Sequence, residues 1–274
     1  MTPITLTEIH VYPVKSLAGI QVTSWPVTEK GLLFDRRWML VDSNQQFLSQ
    51  RRLPQMALIK TALTENHLIL SAPDMGDLHL PLHPKGGDII NSTIWHDQCP
   101  ARSVSEDADK WLGDFLGVDC QLVYQPDELI RPVNPDYANA DDQVSFADGF
   151  PFLIVSEQSL AALNQEMQLN LPMIRFRPNL VVSGCESYAE DYWREISIGE
   201  IDFRLTKPCA RCSVPTIDPS TGKSGKEPLT TLNRTRKWQN KVYFGQNAIH
   251  DQCGSLTVGN IVRIKTSGTS QPPL

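Results

Sequence analysis

Over residues 4–71 short β-rich runs are separated by polar turn residues. Segments 4–12, 38–42, 46–49, 57–63 and 67–71 carry this pattern and predict a β-meander. Ser43-Asn44 suits a tight hairpin between the second and third runs, and residues 73–76 close the series with turn chemistry. The period then changes. Ser105 is a candidate helix cap, Glu106, Asp107 and Asp109 complement a positive first turn, and Ala108, Trp111, Leu112, Phe115 and Leu116 recur at helical spacing before Gly117. Residues 125–142 hold Pro126, Pro132, Asn134 and Pro135 among several acids, which predicts an exposed loop and a boundary near residue 122.

Beyond that loop, residues 150–155 read as a buried strand, and Ser156 caps a helix running to Gln168 with Leu160, Leu163 and Met167 inward. Further strands are expected at 179–183, 196–198, 201–206, 241–244, 256–258 and 261–264. Gly199-Glu200 and Gly259-Asn260 are two-residue hairpin signals, and Pro228 fits the first turn of a short helix carrying Leu229 and Leu232. The second half is therefore expected to be a barrel-like antiparallel sheet with a few helices, ending in a polar, Pro-rich tail that frays. Three segments result: residues 1–122, 123–266 and a flexible 267–274. The fold class is mostly β with some α, an α+β arrangement.

Composition narrows the function. With 41% apolar and 20% charged residues among 274, the chain resembles an ordinary globular protein. A net charge of −6 argues against sequence-independent nucleic-acid binding, which needs an excess of Lys and Arg. No segment approaches the ~20 apolar residues of a membrane span, and the start lacks a signal-type apolar run, so the expected location is the cytoplasm, with no membrane partner. Six cysteines, at 99, 120, 185, 209, 212 and 253, are too sparse for a disulfide framework.

Only Cys209 and Cys212 form a local pair, on a loop that follows a predicted strand. Three chemistries fit them. Dithiol exchange would use Lys207 and Arg211 to lower thiol pKa values, although the βαβ context of thioredoxin-like motifs is missing. Structural zinc would combine Cys209 and Cys212 with His250 and Cys253. A single thiolate would instead serve a soft metal carried by an organic cofactor. Basic side chains supply a second clue, because Lys15, Arg36, Arg37, Arg51, Arg52, Arg175, Arg177, Lys207 and Arg211 gather beside strand ends in an acidic chain. An anionic ligand explains that clustering, with Lys15, Arg36 and Arg177 as its holders. No phosphate-binding glycine loop is present.

Several motifs together resemble a known family. Tyr12-Pro13-Val14-Lys15-Ser16 and Gly31-Leu32-Leu33-Phe34-Asp35-Arg36-Arg37-Trp38 are followed by Phe146-Ala147-Asp148, Pro151-Phe152-Leu153-Ile154 and Arg175-Phe176-Arg177-Pro178-Asn179. Tyr188-Ala189-Glu190-Asp191 and the run from Cys209-Ala210-Arg211-Cys212 through Thr216-Ile217-Asp218 to Gly222 complete the series. In this order they resemble the MOSC proteins, specifically the mitochondrial amidoxime reducing components and the bacterial YcbX-like proteins. The resemblance implies an N-terminal β-barrel domain packed on a MOSC β-barrel, with a molybdenum cofactor (Mo-molybdopterin) between them. By motif position Cys212 is the metal ligand, and Lys15, Ser16, Arg36, Arg177, Arg211 and Asn247 hold the pterin and its phosphate. Asp218, taken with Cys212 as catalytic, and Thr216 follow the ligand loop in supporting or substrate-facing roles. The implied reaction is two-electron reduction of small N-hydroxylated compounds such as amidoximes or hydroxylamino bases. Many YcbX-like chains append a C-x4-C-x2-C ferredoxin motif that these residues lack, so electrons are expected from a separate ferredoxin- or flavin-type protein. A sulfur-carrier or cofactor-sulfuration role for Cys212 is the alternative within the family.

Overall fold

The computed structural model of the chain describes residues 3–273. It is mostly β-sheet with three α-helices. The largest sheet runs, in spatial order, Val262–Ser267, Trp193–Ile198, Ile201–Ala210, Lys241–His250, Phe152–Ser156, Leu180–Ser183, Thr5–Val11 and Ile20–Val22, with Lys237–Trp238 paired onto Lys241–His250. Phe152–Ser156 and Leu180–Ser183 are parallel, and the other pairs along this path are antiparallel. The sheet curls until its ends meet at an isolated bridge between Thr5 and Ile261, where Val262 N–H donates to Ile4 O and Leu6 N–H to Asn260 O. The expected barrel is thus a curled sheet whose ends touch through a few backbone bonds.

Strand alternation sorts side chains into two cores. Phe152, Ile154, Leu180 and Val182 join Leu6, Ile9, Val11, Ile196 and Phe203 inside the curl. Leu153, Val155 and Val181 point outward, where Leu160, Leu163 and Leu232 of the helices cover them. Each such side chain contributes roughly 1.5–3 kcal/mol on burial, so a slip of one residue exchanges the two faces and is strongly disfavoured.

In the first half, Trp38–Val41, Gln121–Tyr124, Asp97–Ser103 and Ile89–Ile94 make a four-stranded sheet, and Lys60–Leu63, His67–Ser71 and Leu78–Pro81 a three-stranded meander. Helix α1, Glu106–Leu116, packs Ala108, Leu112 and Leu116 against them. Ser105 caps it by accepting from Ala108 N–H at 3.2 Å, and Gly117 ends it in the left-handed region at φ 67°. Helix α2, Glu157–Met167, is capped by Ser156 in the same way, and α3 spans Leu229–Thr235 after Pro228.

Four expectations change. Residues 46–49 form only isolated bridges, including Val41 to Phe47, because Asp42 folds the chain back through its own carboxylate. Gly259-Asn260 makes a turn but no hairpin: Gly254–Thr257 pairs with Ser24–Thr28, whereas Val262–Ser267 pairs with Trp193–Ile198. Thr5–Val11 and Ile20–Val22 lie in the sheet of the second half, so the halves share strands. The tail is tied down through residue 271, with Gly268 N–H donating to Tyr192 O, Gln271 N–H to Asp191 O, and Gln246 Nε2 to Gln271 O at 2.7 Å. Leu274 lies outside the described residues. Among those residues no helix is long and apolar enough to cross a membrane.

Candidate functional site

One cleft gathers Lys15, Ser16, Arg36, Arg177, Arg211, Cys212 and Asn247, although these residues come from both ends of the chain. Arg36 (φ 49°), Arg177 (φ 55°) and Ser16 (φ 68°) all hold left-handed backbone, a conformation that costs on the order of 1–3 kcal/mol each and concentrates at functional sites.

Tyr12 sits at the base, fully buried, with the Arg36 guanidinium 4.4 Å from its ring centroid and the Arg177 guanidinium 4.2 Å. A Cβ on Gly19 would stand 2.4 Å from this ring, so that position must stay glycine for the ring to remain where it is. Burial pushes the phenol above its ordinary range despite both arginines, and its hydroxyl has no partner. Arg36 donates through Nη1 to the Asp35 carboxylate and to Asn179 Oδ1 at 2.9 Å. Asp35 also accepts from Tyr12 N–H at 2.8 Å; burial raises its pKa, with Arg36 opposing. Lys15, 5% exposed, donates to Phe146 O at 2.8 Å and to Asp148 Oδ1 at 2.5 Å. Burial lowers its pKa, and the Asp148 carboxylate works against that shift.

The opposite wall comes from Ile201–Ala210 and the loop after it. Two register shifts against Lys241–His250, at Leu205/Lys207 and Pro208/Ala210, bend the strand and aim its end into the cleft. Proline, which lacks a ladder donor, is tolerated at such a bulge. Arg211 donates through Nη1 to Cys209 Sγ at 2.9 Å and through Nη2 to Phe176 O at 2.8 Å, and its buried Nε has no partner. Burial pushes the Cys209 thiol up, against the pull of Arg211. Cys212 is half-buried beside it and makes no side-chain hydrogen bond among the described residues. Asn247 lies opposite Leu153 and Lys207 in the sheet.

Other sequence candidates lie elsewhere. Asp218 does not line the cleft; its Oδ1 accepts from Ser220 N–H at 2.8 Å and Ser220 Oγ at 2.6 Å, forming a turn. The hydroxyl, then the amide, of Ser220 holds this carboxyl below its ordinary range. Its other oxygen is 3.8 Å from Arg175, which donates to Pro215 O and Thr216 O and so braces the loop after Cys212. Lys207 stacks on Tyr137, Arg37 is bound to Gln125 O and Asp127, and Arg52 pairs with Asp42. The zinc arrangement is not formed: His250 Nε2 is 2.7 Å from Thr28 O, Cys253 is exposed, and among the described residues no three His, Cys, Asp or Glu side chains are placed to hold a metal ion. Phe47, Arg51, Asp148 and Asn179 line the cleft without having been singled out as site residues. The motif containing Asp148 was the available signal.

This donor set suits an anion that brings its own metal ligands. Five cations, Lys15, Arg36, Arg51, Arg177 and Arg211, surround a space with one unpaired buried donor and two thiols, of which Cys209 is bonded by Arg211 and Cys212 is not, too few ligands for a bare ion but enough for a metal already bound by other sulfurs.

Residues 4–119 match the MOSC N-terminal beta barrel domain, and residues 141–263 match the MOSC domain. The chain belongs to the MOSC family. This MOSC protein is 33% identical to the mitochondrial amidoxime-reducing component 1 of Homo sapiens over 276 residues, which span 94% of the chain and 82% of that relative. It is 32% identical to component 2 of Homo sapiens, over 94% of the chain and 82% of the relative. It is also 32% identical, over 92% of its length, to the molybdenum cofactor sulfurase of Danio rerio, of which that stretch makes up 33%.

Proposed function

We propose that this MOSC protein binds a molybdenum cofactor in the cleft and reduces small N-hydroxylated compounds with electrons from a separate ferredoxin- or flavin-type protein. The observation that carries the reading is the convergence of Lys15, Ser16 and Arg36 with Arg177, Arg211, Cys212 and Asn247 on one cleft, in a chain similar along 94% of its length to amidoxime-reducing components.

When bound, the cofactor would supply two-electron chemistry at an N–O bond, so that R–NHOH, two electrons and two protons yield R–NH2 and water. The protein's part is positional and electrostatic. Lys15, Arg36 and Arg177 neutralise the phosphate, with both arginines packed against the Tyr12 ring. Ser16, Asn247 and the unpaired Arg211 Nε supply hydrogen bonds to the pterin. Cys212 supplies the one protein sulfur to the metal, and Asp218, through Arg175, keeps the loop after it in place.

Cys212→Ala, expressed in a host that makes the cofactor, is expected to fold as the wild type by circular dichroism and to lose at least about 100-fold in benzamidoxime reduction with reduced methyl viologen. Cys209→Ser should stay within a few-fold of wild type. Full activity in Cys212→Ala, or equal losses in both variants, overturns the assignment. The similarity to the sulfurase favours a second reading, in which Cys212 carries a persulfide; wild-type protein would then contain no molybdenum but would show cyanide-labile sulfur.

A further inference from the structure

The cleft holds two thiols, and the function proposed above uses one of them. Cys209 and Cys212 both line it, whereas Cys99, Cys120 and Cys185 pack against three separate cores and Cys253 is exposed outside it. In an unbroken strand, residues three apart face opposite sides of the sheet. The bulge at Pro208/Ala210 removes that opposition. The chain leaves the ladder after Ala210, with Arg211 N–H donating to Val242 O at 2.8 Å, and both cysteines come to line the same space.

Their surroundings suit one sulfur to be attacked and the other to respond. Cys212 is half-buried and makes no side-chain hydrogen bond among the described residues, so an oxidant entering the cleft meets it unengaged. Cys209 is held. Arg211 Nη1 donates to its sulfur at 2.9 Å while Nη2 donates to Phe176 O at 2.8 Å, so a cation fixed in position stands beside the sulfur where a thiolate would form. Burial is the main cause that raises the Cys209 pKa, and the Cys212 sulfur is close enough to add to it. A disulfide needs Cα atoms roughly 4.4–6.8 Å apart, a span that three extended residues overshoot and a bulged turn meets. The loop beyond Cys212 is braced by Arg175, which donates to Pro215 O at 2.8 Å, so the fold sets the spacing of the pair.

We infer that Cys209 is the resolving thiol of Cys212 in the cofactor-free protein: hydrogen peroxide closes a Cys209–Cys212 disulfide, which withholds the ligand sulfur from further oxidation until a dithiol reductant reopens it. The Cys212 thiolate attacks the peroxide O–O bond, giving a sulfenic acid and hydroxide. The Cys209 sulfur then displaces the sulfenic hydroxyl as water, so two thiols and one peroxide yield one disulfide and two waters. Without Cys209 the sulfenic acid goes on to sulfinic acid, which dithiols do not reverse. The inference rests on the reductase reading, in which Cys212 must stay reduced to accept the metal.

The test uses the full chain free of cofactor, treated with hydrogen peroxide and mapped by alkylation and peptide mass spectrometry. Wild type should lose two of its six free thiols to a single Cys209–Cys212 link and regain both with dithiothreitol. Cys209→Ser should instead accumulate sulfinic acid at Cys212 at least about tenfold faster than wild type, and dithiothreitol should not restore it. Cys253→Ser, which removes the exposed thiol, should behave as wild type. Sulfinic acid forming at Cys212 equally fast in wild type and Cys209→Ser, or a disulfide from Cys212 to any other cysteine, would overturn the inference. In a second arm, isolated molybdenum cofactor is offered to each form and its uptake followed by pterin fluorescence. Oxidised wild type should take up at least about tenfold less than reduced wild type, with uptake restored by dithiothreitol; equal uptake by both would also overturn it. If reduced wild type takes up none, the reductase reading fails, while the peptide map still decides whether Cys209 protects Cys212.

Discussion

On the wall built by the first half of the chain, charge is already engaged inside the protein: Lys15 is held by Phe146 O and Asp148, Arg36 by Asp35 and Asn179. The wall built by the bulged strand differs. There Arg211 Nε is buried without a partner, and Cys212 and Asn247 make no side-chain hydrogen bond among the described residues. Fixed cations on one side meet charge without reorganising, and open valences on the other make bonds to whatever arrives. A preorganised frame facing a chemically open wall is the arrangement that electrostatic stabilisation favours.

The largest expected effect comes from breaking the frame. Asp35→Ala removes the buried partner of the half-buried Arg36 charge and strands the Tyr12 N–H, and is expected to cost about 3–5 kcal/mol in urea unfolding. A loss under about 1 kcal/mol would mean that this carboxylate does not organise the wall. Next is Tyr12→Leu, which removes the ring against which Arg36 and Arg177 pack. Sulfate binding to cofactor-free protein, measured by calorimetry, should weaken roughly tenfold, since each cation–π contact is worth about 0.5–1 kcal/mol or more when desolvated.

Lys15 sharpens the comparison through pH. Its charged form grips an anion, and burial lowers its pKa from the ordinary 10.5 against the opposing pull of Asp148. Grip is therefore lost as pH rises, earlier than for an exposed lysine. Sulfate, whose own charge is constant over this range, should bind a few-fold more weakly as pH climbs toward 10.5. Lys15→Arg stays charged and should flatten that dependence; a slope that survives would place the titrating group elsewhere. The smallest effect is expected of Tyr12→Phe, which keeps the ring and removes a buried hydroxyl without a partner, so stability should hold or rise by about 1 kcal/mol in the same urea assay.

Much of the fold was legible because its signals are local. Period-two alternation located His67–Ser71, a continuous apolar run located Phe152–Ser156, and Ser105 and Ser156 marked their helices through bonds to amides three residues on. The strands Ile89–Ile94 and Asp97–Ser103 went unread in the sequence, and bonds from Arg131 to Asp97 and between Thr93 and residues 45–47 hold them in place. Gly259-Asn260 was legible as a turn, but which strands it joined depended on partners at Ser24–Thr28 and Trp193–Ile198.

From the chain alone came the elements, the thiol pair on its loop and the surplus of basic residues at strand ends. Tertiary structure decided which cations share a cleft, that Asp218 shapes a turn, and that His250 and Cys253 stand apart from the cysteine pair. The reason is range. Caps and alternation act within a few residues, whereas Lys15 meets Asp148 across 133 positions and Arg36 meets Asn179 across 143, contacts that exist only once the halves share one sheet.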